Sequence, residues 1–226
     1  MVKYQNHFVK TIIGFVGVMA LSFSGCTKPA SVPATPLQQI TSVETSVRNA
    51  EHISYMATYL THPTGSGITN EYIQEPPSTY ASRYFQPSQH YAQVTVTSFG
   101  HTTLCMWNNN SHSCLGDAEA GSATDSPFSS TFTLRLLQAA SIGLSSKDIT
   151  NAVFAGQQST CFAFDVTIAD AKSMPNAVLG SQKVCVTSTG VLAEYDQVPG
   201  KGIFLSQFSL NVKPQELQTL ENTPAN

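Results

Sequence analysis

Apolar and polar residues alternate with a period of two along most of the chain, and this pattern predicts a protein built mainly of β-strands. Such alternation over four to eight residues is typical of strands that bury one face. Short turn signals rich in Gly, Pro and Asn separate the runs, which favours antiparallel neighbours. The predicted strands cover residues 53–61, 68–75, 79–85, 91–99, two runs within 102–116, 149–155, 160–168, 182–188, 190–196 and 203–212.

Three segments instead repeat apolar residues at helical spacing. Residues 37–52 form an amphipathic helix, and Thr35-Pro36 supplies a capping hydroxyl followed by proline in the first turn. Residues 131–144 are the second predicted helix and residues 214–221 a short terminal one. The order of elements predicts an α+β fold: a single curved antiparallel sheet, or open half-barrel, with helices covering one face.

The first 25 residues have the composition of an export signal. Lys3 and Lys10 lie in a basic leader without an acid, and residues 11–25 are apolar or small and carry no charge. That apolar stretch of about 15 residues is shorter than the roughly 20 that a membrane-spanning helix needs. The sequence therefore predicts a signal peptide over residues 1–25.

Cys26 follows this segment and resembles the acylated cysteine of bacterial lipoproteins. In the lipobox of that class, a branched aliphatic residue, a small residue and Gly or Ala precede the cysteine. Here these places hold Phe23, Ser24 and Gly25, of which Phe23 departs from the pattern. The resemblance implies that Cys26 carries lipid and anchors the protein to the extracytoplasmic face of the cell membrane. The alternatives are a secreted protein cut nearby and an uncleaved anchor.

A polar, Pro-rich tether over residues 26–36 precedes the rest of the chain. Residues 37–226, roughly 190 in number, suit one domain with its own core. After the leader is removed, 14 acidic and 9 basic residues remain, since the leader holds two of the eleven bases and no acid. Because phosphate binding needs clustered Lys and Arg, this acidic balance argues against a nucleic-acid partner.

Four further cysteines are even in number, which outside the membrane is typical of disulfides. A two-residue turn at Asn109-Asn110 places Cys105 opposite Cys114 on neighbouring strands, with Leu104 opposite Leu115. These cysteines then form a pair without backbone hydrogen bonds between them, where side chains approach most closely. The pattern predicts a Cys105–Cys114 bridge across a hairpin.

The second pair follows from the alternation of the strands at 161–168 and 182–188. If Cys161 faces Cys185, Phe162 lies opposite Val184 and the apolar side chains share one face. A slip of one residue would mix the faces, so we predict a Cys161–Cys185 bridge. A metal site is the competing interpretation. None of the four cysteines lies in a Cys-x-x-Cys arrangement, so the sequence predicts no metal.

With these elements the chain resembles the lipoprotein-carrier superfamily. Its members are open half-barrels and include the Lol carrier and receptor proteins and the lipid-binding lipoproteins of the mycobacterial cell wall. The resemblance rests on the tethered cysteine, the amphipathic helix, the strand segments ISYMATYL, CFAFDVTI and QKVCVTSTGVLAEYD, and the helix segment TLRLLQAAS. It implies a cavity between the sheet and the helices that holds a lipid or another apolar ligand. The candidate lining residues are Met56, Leu60, Val94, Val96, Leu104, Met106, Phe162, Phe164, Val184, Val186, Phe204, Phe208 and Leu210.

The same alternation also fits an ordinary closed core. In that case the fold would act as a non-enzymatic interaction or sensor module that binds another envelope protein. The sequence has no Gly-rich phosphate loop, no G-x-S-x-G turn and no H-E-x-x-H motif, so it predicts neither an enzyme nor a cofactor. His101 and His112 could approach each other across the hairpin, although exposed polar side chains are the favoured interpretation there.

Overall fold

The computed structural model describes residues 34–61, 67–77, 79–108, 111–116, 126–142, 148–167, 179–198 and 201–212. All of them belong to one unit of the chain, Ala34–Asn226. The predicted signal peptide, the lipid attachment at Cys26 and the terminal helix at 214–221 lie outside the described residues.

Helix α1 spans Pro36–Ala50 and begins where the sequence predicts. The Thr35 hydroxyl accepts a hydrogen bond from the Gln38 backbone N–H at 3.3 Å, and the Gln38 side-chain oxygen accepts one from the Thr35 N–H at 2.8 Å. This reciprocal capping box satisfies two backbone donors of the first turn. Ile40 and Val47 are buried on the face that packs against the sheet.

Helix α2 spans Ser130–Ala140. The Ser129 hydroxyl caps it by accepting a hydrogen bond from the Phe132 backbone N–H at 3.3 Å. Its buried residues are Thr133, Leu136, Leu137 and Ala140.

Eleven antiparallel strands form one sheet in the described part of the chain. Each predicted strand segment overlaps one of them. In chain order they are β1 (Tyr55–Thr61), β2 (Thr69–Glu75), β3 (Thr79–Gln86), β4 (Tyr91–Ser98), β5 (His101–Asn108), β6 (Ser111–Leu115), β7 (Ile149–Phe154), β8 (Gln157–Val166), β9 (Gly180–Thr187), β10 (Leu192–Val198) and β11 (Lys201–Ser209).

The order of strands across the sheet is β6-β5-β4-β3-β2-β1-β11-β10-β9-β8-β7. Two meanders of neighbouring strands, β1–β6 and β7–β11, therefore meet where the first strand pairs with the last. Strands β7 and β11 contact each other although three strands separate them in the sheet, so that half is strongly curled. The predicted α+β fold, an open antiparallel sheet with helices on one face, is confirmed.

The sheet buries apolar side chains on both faces. We call the face that packs against α1 and α2 the helix face, and the other the outer face. The main core lies on the helix face and joins residues of both meanders to the helices. A second cluster lies on the outer face of β2–β5. Its buried members are Ile73, Ala81, Ala92, Val94, Val96, Cys105 and Trp107.

Strand β4 shows how the apolar side changes across the sheet. Val94 and Val96 are buried on the outer face, whereas Thr95, which pairs with Ser82 of β3, is on the helix face. Because successive side chains of a strand point to opposite faces, the apolar half of β4 belongs to the outer cluster. On the helix face β4 places Gln93, Thr95 and Thr97.

Candidate functional site

Aromatic side chains fill the space between the sheet and the helices. Tyr55, Tyr59 and Tyr72 are each at most 1% exposed. The ring of Tyr59 stacks on Phe128 with centroids 4.4 Å apart, and Tyr55 contacts Tyr72 and Phe208 at 5.9 Å each. Tightly packed aromatic rings leave little free volume among them. In the described residues, the middle of the helix face is therefore a packed core.

The buried tyrosines remain neutral. Burial raises the pKa of Tyr55, Tyr59 and Tyr72 well above the usual value, and neighbouring tyrosines raise it further. Burial also raises the pKa of Tyr195. A phenol with a raised pKa acts as a neutral hydrogen-bond donor and not as a base, so these groups stabilise the fold and provide no acid–base chemistry at neutral pH.

The candidate lining residues are divided between the two faces of the sheet, so they do not line one cavity. The strand pairings show which face each residue occupies. Ala57 belongs to the main core and lies opposite Tyr72 on the helix face, whereas Leu60 points the other way from β1 and lies opposite Phe204 on the outer face. Those on the helix face are Leu104, Met106, Phe162, Phe164, Val184, Val186 and Phe208. Those on the outer face are Met56, Leu60, Val94, Val96 and Phe204. Leu210 follows the last strand and is exposed.

The sequence analysis assigned Met56 and Leu60 to the side of β1 that faces the helices. This assignment was wrong, because Tyr55 and Tyr59 occupy that side. A tyrosine buries its ring as well as an aliphatic side chain does, provided that its hydroxyl finds a partner. Tyr59 meets that condition, since its hydroxyl donates a hydrogen bond to the Leu192 carbonyl oxygen at 3.0 Å. The signal was present in the sequence as Tyr55, Ala57 and Tyr59 at every second position.

A recess of about 300 Å³ lies on the helix face where α1 ends and α2 begins. Its wall includes Tyr72, Gln74 and Tyr80 from the sheet and Ser129 and His52 from the helix ends. The side-chain amide nitrogen of Gln74 is already engaged within the fold. Its amide donates to the carbonyl oxygens of Ala50 at 2.6 Å and Ile53 at 2.8 Å, and so completes the end of α1.

A second recess, of about 400 Å³, lies at the far end of β8 and β9. Its wall mixes apolar side chains such as Phe164 with polar ones such as Asp148, Asp165 and Gln182. Both recesses are at the low end of the usual volume range for small-molecule sites.

The two edge strands of the sheet differ in how they are protected. Strand β7 pairs with β8 on one side and has no strand on the other among the described residues. It reads ITNAVF, without a charge or a proline, and Val153 is 57% exposed. The opposite edge, β6, has five residues and is covalently tied to β5. Natural edge strands usually carry charges, prolines or bulges that prevent further pairing, and β7 has neither charge nor proline.

Both predicted disulfides are present, and their registers are confirmed. Cys105 is bonded to Cys114 and lies opposite it between β5 and β6. Cys161 is bonded to Cys185 between β8 and β9. The second bridge is buried on the outer face beside Ala193.

An ion pair lies beside the buried bridge. Glu194 is 7% exposed, and its carboxylate contacts the Lys183 ammonium and lies 3.2 Å from the Cys185 sulfur. Pairing with Lys183 offsets the cost of burying this carboxylate.

The two histidines of the predicted hairpin are not brought together. His101 pairs with Ser98 at the start of β5, whereas His112 lies opposite Trp107 near the other end of that strand. His112 instead lies beside a cysteine, with its Nε2 atom 3.3 Å from the Cys114 sulfur.

No helix among the described residues has both the length and the apolar character needed to cross a membrane. No protein-family model and no curated protein matches the chain. Solved structures of MucB show a remote likeness. MucB in complex with MucA from Pseudomonas aeruginosa matches with a TM-score of 0.47 and 16% identity over 80% of this chain.

A complex of MucB with MucA(peri) matches with a TM-score of 0.44 and 14% identity over 79% of the chain, and MucB alone matches with 0.44 and 13% over 80%. This chain spans 58%, 60% and 62% of the length of the three MucB chains.

Proposed function

We propose that this protein is a non-enzymatic interaction module of the cell envelope, anchored by lipid at Cys26, that binds another envelope protein through strand β7. The observation that carries the proposal is the combination of a packed helix face with a sheet edge, strand β7, that pairs with no further strand among the described residues. Filled by Tyr55, Tyr59 and Tyr72, the middle of the helix face leaves the surface as the place for binding.

Strand β7 suits the addition of one more strand. An extended segment of a partner gains main-chain hydrogen bonds when it pairs with an open edge, and side chains at every second position give specificity. Asn151 and Val153 are exposed and share one face of β7, so they are the side chains that such a segment would meet.

The outer-face side chains of β7 hold the strand in place by packing. Ala152 and Phe154 pack against the cluster around the buried Cys161–Cys185 bridge. A strand fixed by its neighbours loses little conformational entropy when a partner adds to it, which favours binding. The bridge therefore supports the edge without taking part in the contact.

Photo-crosslinking in cells tests this function. A photoreactive amino acid at Asn151 in the full-length, exported protein is expected to form an adduct with one envelope protein, at an extended segment identified by mass spectrometry. The matched control carries the same group at Ser113, an exposed position on the other edge strand. Val153→Lys, which adds a charge to the edge, is expected to lower the adduct yield about tenfold or more.

Val153→Lys should leave the melting temperature unchanged within a few degrees, because the side chain is exposed. Equal adduct yields at Asn151 and Ser113, or a yield that Val153→Lys leaves unchanged, would contradict pairing through β7.

A second candidate function, lipid binding, is favoured by the recess of about 300 Å³ beside Tyr72 and Tyr80. Native mass spectrometry of the exported protein separates the two. A reproducible added mass that organic extraction releases as a lipid would support a carrier. A protein from which extraction releases no lipid beyond the one covalently attached at Cys26, together with an adduct at Asn151, would support the interaction module.

A further inference from the structure

The geometry points to a metal site at Cys105, His112 and Cys114 that is closed while the two cysteines are bridged and opens when the bridge is reduced. We infer that the reduced form binds a thiophilic divalent cation such as Zn²⁺ through two thiolates and one imidazole. This inference does not depend on the proposed binding of a partner through β7.

The three side chains share the outer face at the end of the hairpin. Cys105 lies opposite Cys114, and His112 is two residues from Cys114 on the same strand. Their ligand atoms all lie within 4.8 Å of one another, and the Nε2 atom of His112 is 3.3 Å from the Cys114 sulfur. Zn²⁺ accepts thiolate sulfur at about 2.3 Å and imidazole nitrogen at about 2.0 Å. One ion between the three atoms therefore requires only small movements of the side chains.

Trp107 positions the imidazole. Its indole ring stacks on His112 with centroids 4.7 Å apart and an angle of 19° between the planes. Trp107 itself is buried in the outer-face cluster with Cys105, so two of the four side chains are fixed by the core. A ligand held in place by a rigid neighbour loses less entropy when it binds a metal.

The two disulfides differ in exposure, and this difference makes the switch selective. Cys114 and His112 are exposed on the edge strand β6. Cys161 and Cys185 are at most 1% exposed in the middle of a meander. Because thiol–disulfide exchange needs access to a sulfur, an external thiolate reaches Cys114 and is excluded from the other bridge.

The chemistry balances with a dithiol as reductant. The dithiol attacks the exposed sulfur, and two electrons pass to the bridge. The products are the two cysteine thiols and the cyclic disulfide of the reductant. One Zn²⁺ then replaces the two thiol protons, which are released to solvent, and neutral His112 donates its nitrogen lone pair. Three protein ligands leave a fourth tetrahedral position for water.

The test uses the full chain and starts with selective reduction. Brief treatment with dithiothreitol, followed by its removal under nitrogen, is expected to release two thiols per chain and not four. Co²⁺ is then the probe, because its thiolate complexes absorb strongly in the near ultraviolet. We expect one Co²⁺ per reduced chain, displaced by one Zn²⁺, and none in the oxidised protein.

Trp107 is the only tryptophan, so the fluorescence of the protein reports directly on the site. Metal binding is expected to change this emission in the reduced protein alone. His112→Ala should weaken Co²⁺ binding at least tenfold, whereas His101→Ala, at the other end of β5, should leave it unchanged. Circular dichroism of the reduced protein checks that the sheet persists.

Each of the following results would overturn the inference: release of four thiols, loss of the sheet on selective reduction, equal Co²⁺ binding before and after reduction, or equal affinity in His112→Ala.

Discussion

The hydroxyl of Tyr59 donates a hydrogen bond to the carbonyl oxygen of Leu192, 3.0 Å away, and so connects the first strand of one meander to the other meander. The residues are 133 positions apart in the chain. Strand β11 lies between their strands in the sheet, so the bond supplements the ladder across the junction.

Tyr59→Phe is expected to lower the free energy of unfolding by about 1–3 kcal/mol, because it leaves a buried carbonyl without its phenol donor. Urea unfolding followed by circular dichroism measures the change. The control is Tyr84→Phe, which removes a bond from the Tyr84 hydroxyl to the Gln86 side chain in a partly buried place. We expect a loss below about 0.5 kcal/mol there. Equal losses in the two variants would show that the Tyr59 hydrogen bond contributes no more to the free energy of unfolding than the Tyr84 bond does.

The buried tyrosines predict a loss of stability at alkaline pH. In the unfolded chain a tyrosine ionises near pH 10, whereas burial raises the pKa of Tyr55, Tyr59 and Tyr72 in the folded protein. Between these values the folded state holds more protons than the unfolded state, so stability falls as the pH rises above about 10 and is fully present below it. Absorbance of phenolate measures the titration.

In that titration we expect Tyr55, Tyr59 and Tyr72 to ionise only as the protein unfolds, because burial raises the pKa of each. Reversible ionisation of these three tyrosines while the protein is still folded would contradict their burial. Tyr59→Phe should reduce the amplitude of the absorbance change that accompanies unfolding, because one buried phenol has been removed.

Gly190 predicts a strict requirement for glycine between β9 and β10. Its φ is +86°, and a Cβ atom there would lie 2.1 Å from the Ser46 carbonyl oxygen of α1. We expect Gly190→Ala to cost at least about 3 kcal/mol, because backbone atoms of the helix must move. Gly156 is the matched control: its φ is +76°, and a Cβ would meet nothing within 4 Å.

Gly156→Ala should therefore cost only about 1–2 kcal/mol, which is the strain of a left-handed alanine. Thermal unfolding of the two variants compares the costs. Similar values would mean that α1 does not restrict position 190.

Lipid attachment at Cys26 is tested by Cys26→Ser. Cells fed a radioactive or clickable palmitate are expected to label the original protein and not the variant, and the variant should leave the membrane fraction. Cys105→Ser with Cys114→Ser is the control, since it removes two other cysteines and should keep the label. Labelling that persists in Cys26→Ser would place the acyl chain elsewhere or refute the anchor.

Much of the fold was predictable because local patterns and covalent constraints agree. Turn chemistry fixes the register between β5 and β6, and the alternation of apolar residues fixes the register between β8 and β9. Each register also places two cysteines opposite each other, so a slip of one residue would both mix the faces and separate the sulfur atoms. The capping hydroxyl of Thr35 fixed the start of α1 in the same way.

The lining of the candidate cavity was not predictable from the sequence. Alternation shows which residues share a face of the sheet, but it does not show which of the two faces packs against the helices. In β4 the apolar residues Val94 and Val96 point to the outer face, whereas in β8 Phe162 and Phe164 point to the helix face. Only the curl of the sheet and the positions of the helices separate these cases. Both depend on contacts far apart in the chain.

The position of β1 beside β11 has a consequence for how the chain matures. Protein synthesis proceeds from the amino end, so strands β1–β6 and their hairpin bridge can assemble before β7 has been made. Throughout that time one side of β1 remains unpaired, because its partner β11 is translated after the other ten described strands. A stalled or C-terminally clipped chain would present that side together with the matching side of β10, and such fragments are expected to be the species that chaperones hold and proteases remove.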